Sequence, residues 1–558
     1  MNPRCAIVIL AKLPRPGLAK TRLIPALGAE GAARLAAQML RHTVAEAGRA
    51  GLAALELCVT PDLDHPMLAE LHAQAGMAIT LQCEGELGQR MAHAAARQLQ
   101  QHGAVLLIGT DAPALDAVLL QRAAQALQQH DAVLAPAADG GYALIGLRAL
   151  TPGLFTGIAW STGEVLAQQR ARFAELGWRH TELPTLHDID EPADLVHLPA
   201  HWTGARIDAL HHALAGTAWA AAPPDPLPDT GLAHWHLRLA GTGQLARVPK
   251  QSQLGLAAAE HLAYEAACFE RAAGSGRTPA LHAVLAPSPG LPRGALIVDA
   301  IRGRPAQLPA DLPALVQALA AIHRLPPPSQ RAPLLHPADP LRTLADEIDQ
   351  QARHLDAAGI EPGTRAAIDA ERRALRELLA QAERPPSTLI SFDAHPGNFL
   401  VRSDGSAVLV DLEKARYGPP ALDLAHATLY TSTTWDVSSH AVLSPEAVAE
   451  AYRLWLAALG PALAPPHWAV PLRRAMWLWS VTWCAKWRVL SRREAGGSGE
   501  DWSAERSDQR LVAHVQERVD HYLSAALVQR LREEFDQLEA RLASLPNRSR
   551  NTASRFTA

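Results

Sequence analysis

From Ser391 to Pro420 the chain reads SFDAHPGNFLVRSDGSAVLVDLEKARYGPP, which brings two carboxylates and an amide, Asp393, Asn398 and Asp411, into one short stretch. Phosphoryl transfer from a nucleotide calls for residues of these types. One carboxylate holds the acceptor hydroxyl, and another, helped by an amide, holds the magnesium ion that neutralises the phosphates. The apolar runs LISF and AVLVDL read as two strands joined by a tight loop. A kinase-like site is the first expectation.

Such a site needs a small lobe before it and a helical lobe around it. WHLRLAGTGQLARVPK reads as two strands about a turn at Gly241 and Gly243, then a third strand, and a helix with Glu260 and Glu265 follows. In a kinase small lobe a cation on the third strand pairs with a glutamate on the next helix and so orients the nucleotide phosphates. The cation is Arg247 or Lys250. Arg247 lies inside the apolar strand and is expected to face the cleft, with a solvated surface charge as the plain alternative. GALIVDAIRGRP, Gly294 to Pro305, reads as a strand entering a hinge whose backbone near Asp299 to Ile301 is available to adenine. PALVQALAAIHRL keeps a helical period and opens the large lobe. Further on, Trp479, Trp483 and Trp487 fall four apart on one helix face beside Trp477, a pattern of core residues, with stacking of an indole on a sugar as the lesser reading. The last helix, near Leu511 to Leu542, is amphipathic and reads as a lobe cap or a dimer contact.

Over about residues 230 to 500 this half resembles the aminoglycoside phosphotransferase and choline kinase superfamily, whose signature is H-G-D-x-H-P-G-N followed by a strand and D-F/L-E/D. Here the signature stands as Ser391, Phe392, Asp393, Ala394, His395, Pro396, Gly397 and Asn398, then Asp411, Leu412 and Glu413, with DLA at Asp423 to Ala425. The resemblance implies ATP as donor, Asp393 as catalytic base or acceptor-orienting group, and Asn398 and Asp411 as ligands of Mg2+ or Mn2+. It makes His395 a loop-bonding residue and Asp423 an anchor of the loop. Ser391 replaces the usual histidine and Phe392 the usual glycine, and activity is expected to survive both.

The amino-terminal part alternates apolar strands with amphipathic helices, which argues for a mainly parallel sheet covered on both faces, with ligands at the carboxyl ends of its strands. Four polar clusters fall there. AKLPRPGLAKTRL places Lys12, Arg15, Lys20 and Arg22 directly after the first strand, where cations and backbone amides suit nucleotide phosphates; a solvated basic loop is the alternative. GTDAP puts Asp111 at the end of a strand, as a metal-holding catalytic carboxylate or a helix cap. Asp139, Gly140 and Gly141 form a tight turn that lets backbone approach a nucleotide, or a plain hairpin turn. HDIDEPADL carries Asp188 and Asp190, which alternate toward one side and could complete a metal site with Asp111; Asp190 is alternatively an N-cap.

Together with ELGQRM, LIGTDAP, DGGYALIGL and the WST of Trp160 to Thr162, these clusters resemble the DUF2064 family of glycosyltransferase-A-fold proteins over nearly all of residues 1 to 200. Some members of that family are labelled arsenosugar-biosynthesis glycosyltransferases. The same half is similar to sugar-nucleotide and 2-phospholactate nucleotidyltransferases in its basic KTRL loop and its aspartates, but it lacks a GGxGxR loop.

The expected architecture is therefore α/β: a GT-A-like three-layer domain over 1–200, a Pro- and Ala-rich linker over 201–230, a kinase-like small lobe over 231–306, a helical large lobe over 307–540 and a disordered tail over 541–558. A chain of 558 residues has room for about three such units. With 48% apolar and 19% charged residues it is globular, and a net charge of -4 gives no reason to expect nucleic acid. Five scattered cysteines without a CxxC pair indicate neither a disulfide framework nor a zinc site and suit a reducing cytoplasm, while the apolar run Cys5 to Ala11 is too short for a signal or membrane segment. The expected partners are small molecules, a sugar or amino-alcohol and nucleotides, with a homodimer as a further possibility. The two halves read as consecutive steps: phosphorylation of a small-molecule hydroxyl by ATP, then conversion of the phosphate into an NDP-sugar by the amino-terminal domain. Glycosyl transfer from an NDP-sugar is the rival for that domain, and nucleotide binding without catalysis is the alternative for either half.

Overall fold

Apolar residues on successive positions of the amino-terminal strands point to opposite sides of one sheet. The computed structural model describes residues 5–199, 201–228, 233–252, 254–491 and 509–543. It divides into two compact units, Met1–Ala220 with Ser288–Leu291, and Ala221–Pro287 with Pro292–Ala558.

The first unit is built on strands β1 (Cys5–Lys12), β2 (Ala54–Thr60), β3 (Ala78–Leu81), β4 (Ala104–Ile108), β5 (Ala132–Pro136), β6 (Tyr142–Leu147) and β7 (His180–Glu182). Their order is β3-β2-β1-β4-β6-β5-β7. Only β6 runs antiparallel, because the Asp139–Gly141 turn folds it back on β5 as a hairpin. Helices α1 (Ile24–Ala50), α2 (Pro66–Ala75), α3 (Leu87–Leu99), α4 (Ala117–Ala126), α5 (Val165–Glu175) and α6 (Gly204–Leu214) accompany the sheet. Ile7, Ile9 and Leu106 pack with α1, α2 and α4 on one face, while Val8, Val105 and Leu107 pack with α3 and α5 on the other. Strands buried on both sides must be apolar throughout, which is why CAIVILA and AVLLI read as continuous runs.

The expected linker over 201–230 is a correction. Ala205, Ala209, Leu210 and Leu214 share a buried face, so 204–214 folds as α6 against α1, where Asp208 pairs with Arg34 at 2.6 Å. Downstream, β8 (Pro224–Pro226) joins the second unit's sheet. The boundary between the units falls at Ala220/Ala221.

In the second unit β8 is followed by β9 (His234–Leu239), β10 (Gln244–Pro249), β11 (Leu281–Leu285) and β12 (Ala295–Asp299), an antiparallel sheet ordered β11-β12-β10-β9-β8. WHLRLAGTGQLARVPK thus forms one hairpin, and the cation-bearing strand is its second arm, not a separate third strand. Helix α7 (Ala258–Ala272) carries Glu265. The helical part comprises α8 (Leu312–His323), α9 (Pro340–Ala352), α10 (Pro362–Ala380), α11 (Ala421–Thr428), α12 (Tyr430–Thr433), α13 (Pro445–Leu463), α14 (Ala469–Leu490), α15 (Gln509–Tyr522) and α16 (Ala525–Ala543). β13 (Arg304–Pro305) precedes α8, and β14 (Thr388–Ile390), β15 (Phe399–Val401), β16 (Ala407–Leu409) and β17 (Arg416–Gly418) lie between α10 and α11.

Three further expectations are corrected here. LISF and AVLVDL are not joined by a tight loop. The loop between them contributes β15, which takes AVL as its hairpin partner and leaves LISF to pair with β17. The single last helix is two, α15 and α16, interrupted at Leu523 and Ser524, and α16 runs into the first residues of the expected tail, whose remainder lies outside the described residues. In α14 the core face holds Trp477 and Trp487, whereas Trp479 and Trp483 are only half-buried. Among the described residues no helix is long and apolar enough to cross a membrane. All five cysteines are unpaired.

Candidate active sites

In the second unit the loop after β14 is held by one buried carboxylate. Asp423, at the start of α11 and fully buried, accepts the backbone N–H groups of Ser391 and Phe392, each at 2.8 Å. His323 Nε2 is 3.1 Å from the same carboxylate. Trp455 donates to His323 Nδ1, so the ring hydrogen lies on Nε2 and points at Asp423. Phe392 takes φ 57°, the left-handed conformation that the usual glycine adopts freely. Its ring is held edge-on by Trp479 at 5.2 Å and covered by the Arg416 guanidinium at 3.9 Å. Ser391 Oγ accepts the Asp393 N–H at 3.2 Å. The two departures from the family pattern are therefore accommodated by packing and by a local hydrogen bond.

The loop delivers Asp393 against Lys414, whose Nζ is 2.9 Å from Oδ2. Burial opposes ionisation of Asp393, but Lys414 and then His395 and His426 outweigh it and hold its pKa below the usual carboxylate value. Burial keeps His426, 4.0 Å away, near pKa 4 and so uncharged at neutral pH. Asn398 Nδ2 donates to the Asp393 carbonyl at 2.8 Å. His395 Nδ1 is buried and makes no hydrogen bond, contrary to the loop-bonding role expected for it.

Asp411 ends the strand region after β16 and pairs with Arg247 at 2.8 Å. Burial disfavours its charge, yet Arg247 and His234 keep its pKa far below the ordinary range. Glu413 goes the other way: burial, then Asp411, push its pKa well up. Asp411 offers an ionised carboxylate and Asn398 a side-chain amide, donor types that a hard divalent cation takes, so these two residues fit the metal that the family implies. Arg247 does not pair directly with Glu265. His234 stands between them, with Nε2 2.7 Å from Glu265 Oε1 and Nδ1 3.4 Å from Arg247 Nη2, and His261 Nε2 lies 3.2 Å from the same glutamate oxygen. Lys250 is buried with its ammonium 5.6 Å from the Trp235 ring centre. Sequence reasoning missed His234 and Lys414 and gave Glu413, quoted only as part of the signature, no role. The alternation that turns Arg247 inward on β10 also turns in His234 and His236 on β9, and that was the legible signal.

In the first unit Lys20, at φ 47°, places its ammonium 2.6 Å from Asp111 Oδ1, 3.7 Å from Asp190 Oδ1 and 2.6 Å from the Ile189 carbonyl. Arg22 pairs with Asp190 at 2.6 Å and Arg15 with Asp62 at 2.7 Å, while Lys12 is exposed. Burial, then Asp139, and more weakly Asp194 and Asp111, raise the Asp188 pKa, which shows that these carboxylates converge. Among the described residues no three donor atoms of Asp111, Asp188 and Asp190 lie within 4.8 Å of one another. Among the described residues only His234, Asp411 and Glu413 bring three donor atoms within 4.8 Å of one another. The Lys20 ammonium bridges Asp111 and Asp190 instead. Asp139 Oδ1 accepts the Gly141 N–H at 2.8 Å, and Gly140, at φ 89°, passes so close to Gly163 that a Cβ would meet its carbonyl oxygen at 2.2 Å. The glycines serve the turn and this close approach of backbone.

Residues 43–162 match the family profile described as an uncharacterized protein conserved in bacteria, DUF2064. Residues 235–464 match the phosphotransferase enzyme family, APH. AKLPRPGLAKTRL and DIDEPADL lie outside the first match. No curated protein matches the chain. Similar solved structures include a Desulfovibrio desulfuricans G20 protein described as a nucleotide-diphospho-sugar transferase, at 29% identity over 39% of this chain and 90% of that one, TM-score 0.32. A choline/ethanolamine kinase family protein from Mesorhizobium loti is 18% identical over 60% of this chain and 99% of that one, TM-score 0.41. Choline kinase from Cryptosporidium parvum Iowa II is 14% identical over 59% and 96%, TM-score 0.38. All three scores lie below 0.5, and the assignment rests on the family profiles. The chain joins an α/β unit to a kinase-like unit. The first carries a DUF2064 region, and the second a region of the phosphotransferase enzyme family.

Proposed function

We propose that the second unit transfers the terminal phosphoryl group of ATP to a hydroxyl of a small molecule, a sugar or an amino-alcohol. The observation that carries this reading is Asp393, held ionised at the tip of an anchored loop beside Asn398 and Asp411. Asp393 orients the acceptor hydroxyl and takes up its proton as the oxygen attacks phosphorus. Asn398 and Asp411 would hold Mg2+ or Mn2+, which when bound neutralises charge on the phosphates. Arg247, with Lys250 just past the end of β10, supplies positive charge for the phosphates, and Glu265 orients it through His234.

The first unit, on the same reading, performs nucleotide-dependent transfer with Asp111 and Lys20 at its centre. Nucleotidyl transfer to the sugar phosphate made by the second unit would yield an NDP-sugar. A specific observation favours the rival, glycosyl transfer from an NDP-sugar: Arg15, Lys20 and Arg22 are already paired with carboxylates, so the first loop holds less free positive charge for a triphosphate than four unpaired cations would.

Mass spectrometry of the purified chain with ATP, Mg2+, mixed nucleoside triphosphates, NDP-sugars and a metabolite pool tests both halves. Phosphorylated products are expected from wild type and none from Asp393→Asn. ATP binding without turnover in wild type would reduce the second unit to a binding module. Pyrophosphate release identifies nucleotidyl transfer, and NDP release with a glycosylated product identifies glycosyl transfer.

A further inference from the structure

Of the charged groups around the catalytic loop, Lys414 has donors to spare. It stands one residue beyond the signature that ends at Glu413, in the segment between β16 and β17. An ammonium carries three N–H donors. Among the described residues that of Lys414 makes one hydrogen bond, to Asp393 Oδ2 at 2.9 Å. Burial opposes its charge, but Asp393, then Glu413 and Asp411, outweigh burial and raise its pKa, so it stays protonated. The pair is not sealed off, since 17% of the Lys414 side chain and 13% of the Asp393 side chain remain exposed.

Asp393 therefore has one oxygen engaged and one open. Among the described residues Oδ1 accepts no hydrogen bond, and the uncharged His426 imidazole is 4.0 Å from it. An acceptor hydroxyl on Oδ1 is a neighbour of the ammonium, and so is the phosphorus it attacks. That phosphorus arrives surrounded by oxygens of the same sign as Asp393, and a cation at short range relieves the repulsion. Arg247 is engaged elsewhere, with Asp411, the Val410 carbonyl and His234.

We propose that Lys414 is a catalytic residue of the second unit, donating to an oxygen of the phosphoryl group as it passes from ATP to the acceptor held by Asp393. The proposal rests on the reading of this unit as a phosphotransferase. As the acceptor oxygen bonds to phosphorus, the bond from phosphorus to the β-phosphate oxygen breaks, ADP leaves with the bonding pair, and the acceptor's proton passes to Asp393. The spare N–H groups of Lys414 meet the charge on the equatorial oxygens of the group in transit. Lys414 gives up no proton and keeps its hold on Oδ2, which leaves Oδ1 to receive the acceptor's.

The test needs no acceptor. The full-length chain is titrated with ADP and Mg2+, with and without aluminium fluoride, which mimics the phosphoryl group in transit, and binding is read by calorimetry. Wild type should bind ADP far more tightly when aluminium fluoride is present. Lys414→Met should bind ADP alone much as wild type does and lose about 100- to 1,000-fold of that gain. Lys414→Arg, which keeps a charge and donors, should recover part of it. A residue that acts only by positioning Asp393 has no further effect once that carboxylate is gone. The double variant Asp393→Asn, Lys414→Met should therefore still gain less from aluminium fluoride than Asp393→Asn alone. Equal gains in those two, or the full gain in Lys414→Met, overturn the proposal and leave the phosphotransfer reading standing. A wild type that binds ADP but gains nothing from aluminium fluoride defeats that reading and the proposal with it. If Lys414→Met strands the buried Asp393 charge and does not fold, the double variant compared with Asp393→Asn decides.

Discussion

Asp393 and Phe392 are neighbours in the chain with opposite electrostatic and steric situations. Lys414 is the main group favouring ionisation of Asp393 against its burial. Lys414→Met removes that charge, so the Asp393 carboxyl becomes harder to ionise and the acid limb of the kcat/KM profile moves to higher pH. A pH–rate series measures this, and an unmoved limb would mean that another group titrates there. At Phe392 two effects oppose each other. A left-handed conformation costs a residue with a side chain about 1–2 kcal/mol. Removing a buried phenyl ring costs about 3–5 kcal/mol. Since the ring is packed between Trp479 and Arg416, the second effect wins: Phe392→Gly should destabilise the second unit by about 2–3 kcal/mol in urea unfolding, despite restoring the family's usual residue.

At the scale of elements the loop is held by α11 and α8 more than by its own strands. Trp455, His323 and Asp423 form a buried chain that ends on the two amides preceding Asp393. Asp423→Ala leaves three buried donors without an acceptor and should cost about 3–5 kcal/mol of stability. It should also lower kcat more than it raises KM, because the mispositioned Asp393 acts in the transition state, and steady-state kinetics beside a denaturation curve separates the two effects. The short strands and the order of elements around the loop were legible from hydrophobic runs and turn residues. Their partners were not. LISF could pair with any exposed edge, and pairing with β17 follows from the path of the chain through β15 and β16. Helix α6 escaped notice because alanine and histidine leave a faint period beside the proline-rich run after it.

For the molecule as a whole the two units carry separate cores and separate constellations of charge. In the full chain, Asp111→Ala should abolish nucleotide-sugar turnover and leave phosphorylation of the acceptor unchanged, while Asp393→Asn should do the reverse when the phosphorylated intermediate is supplied. Paired product assays on both variants check this. Loss of both activities from either substitution would show that the sites are not independent.

The composition and the motifs alone determined that this is a two-part α/β transferase-like chain, and they brought Asp393, Asn398 and Asp411 forward as its chemistry, because residue types and their spacing are local properties. Tertiary structure decided what each charge meets. Lys20 bridging Asp111 and Asp190, Lys414 on Asp393, and His234 between Arg247 and Glu265 join residues far apart in sequence. A charge acts through whatever lies within a few ångströms of it, and only the fold determines those distances.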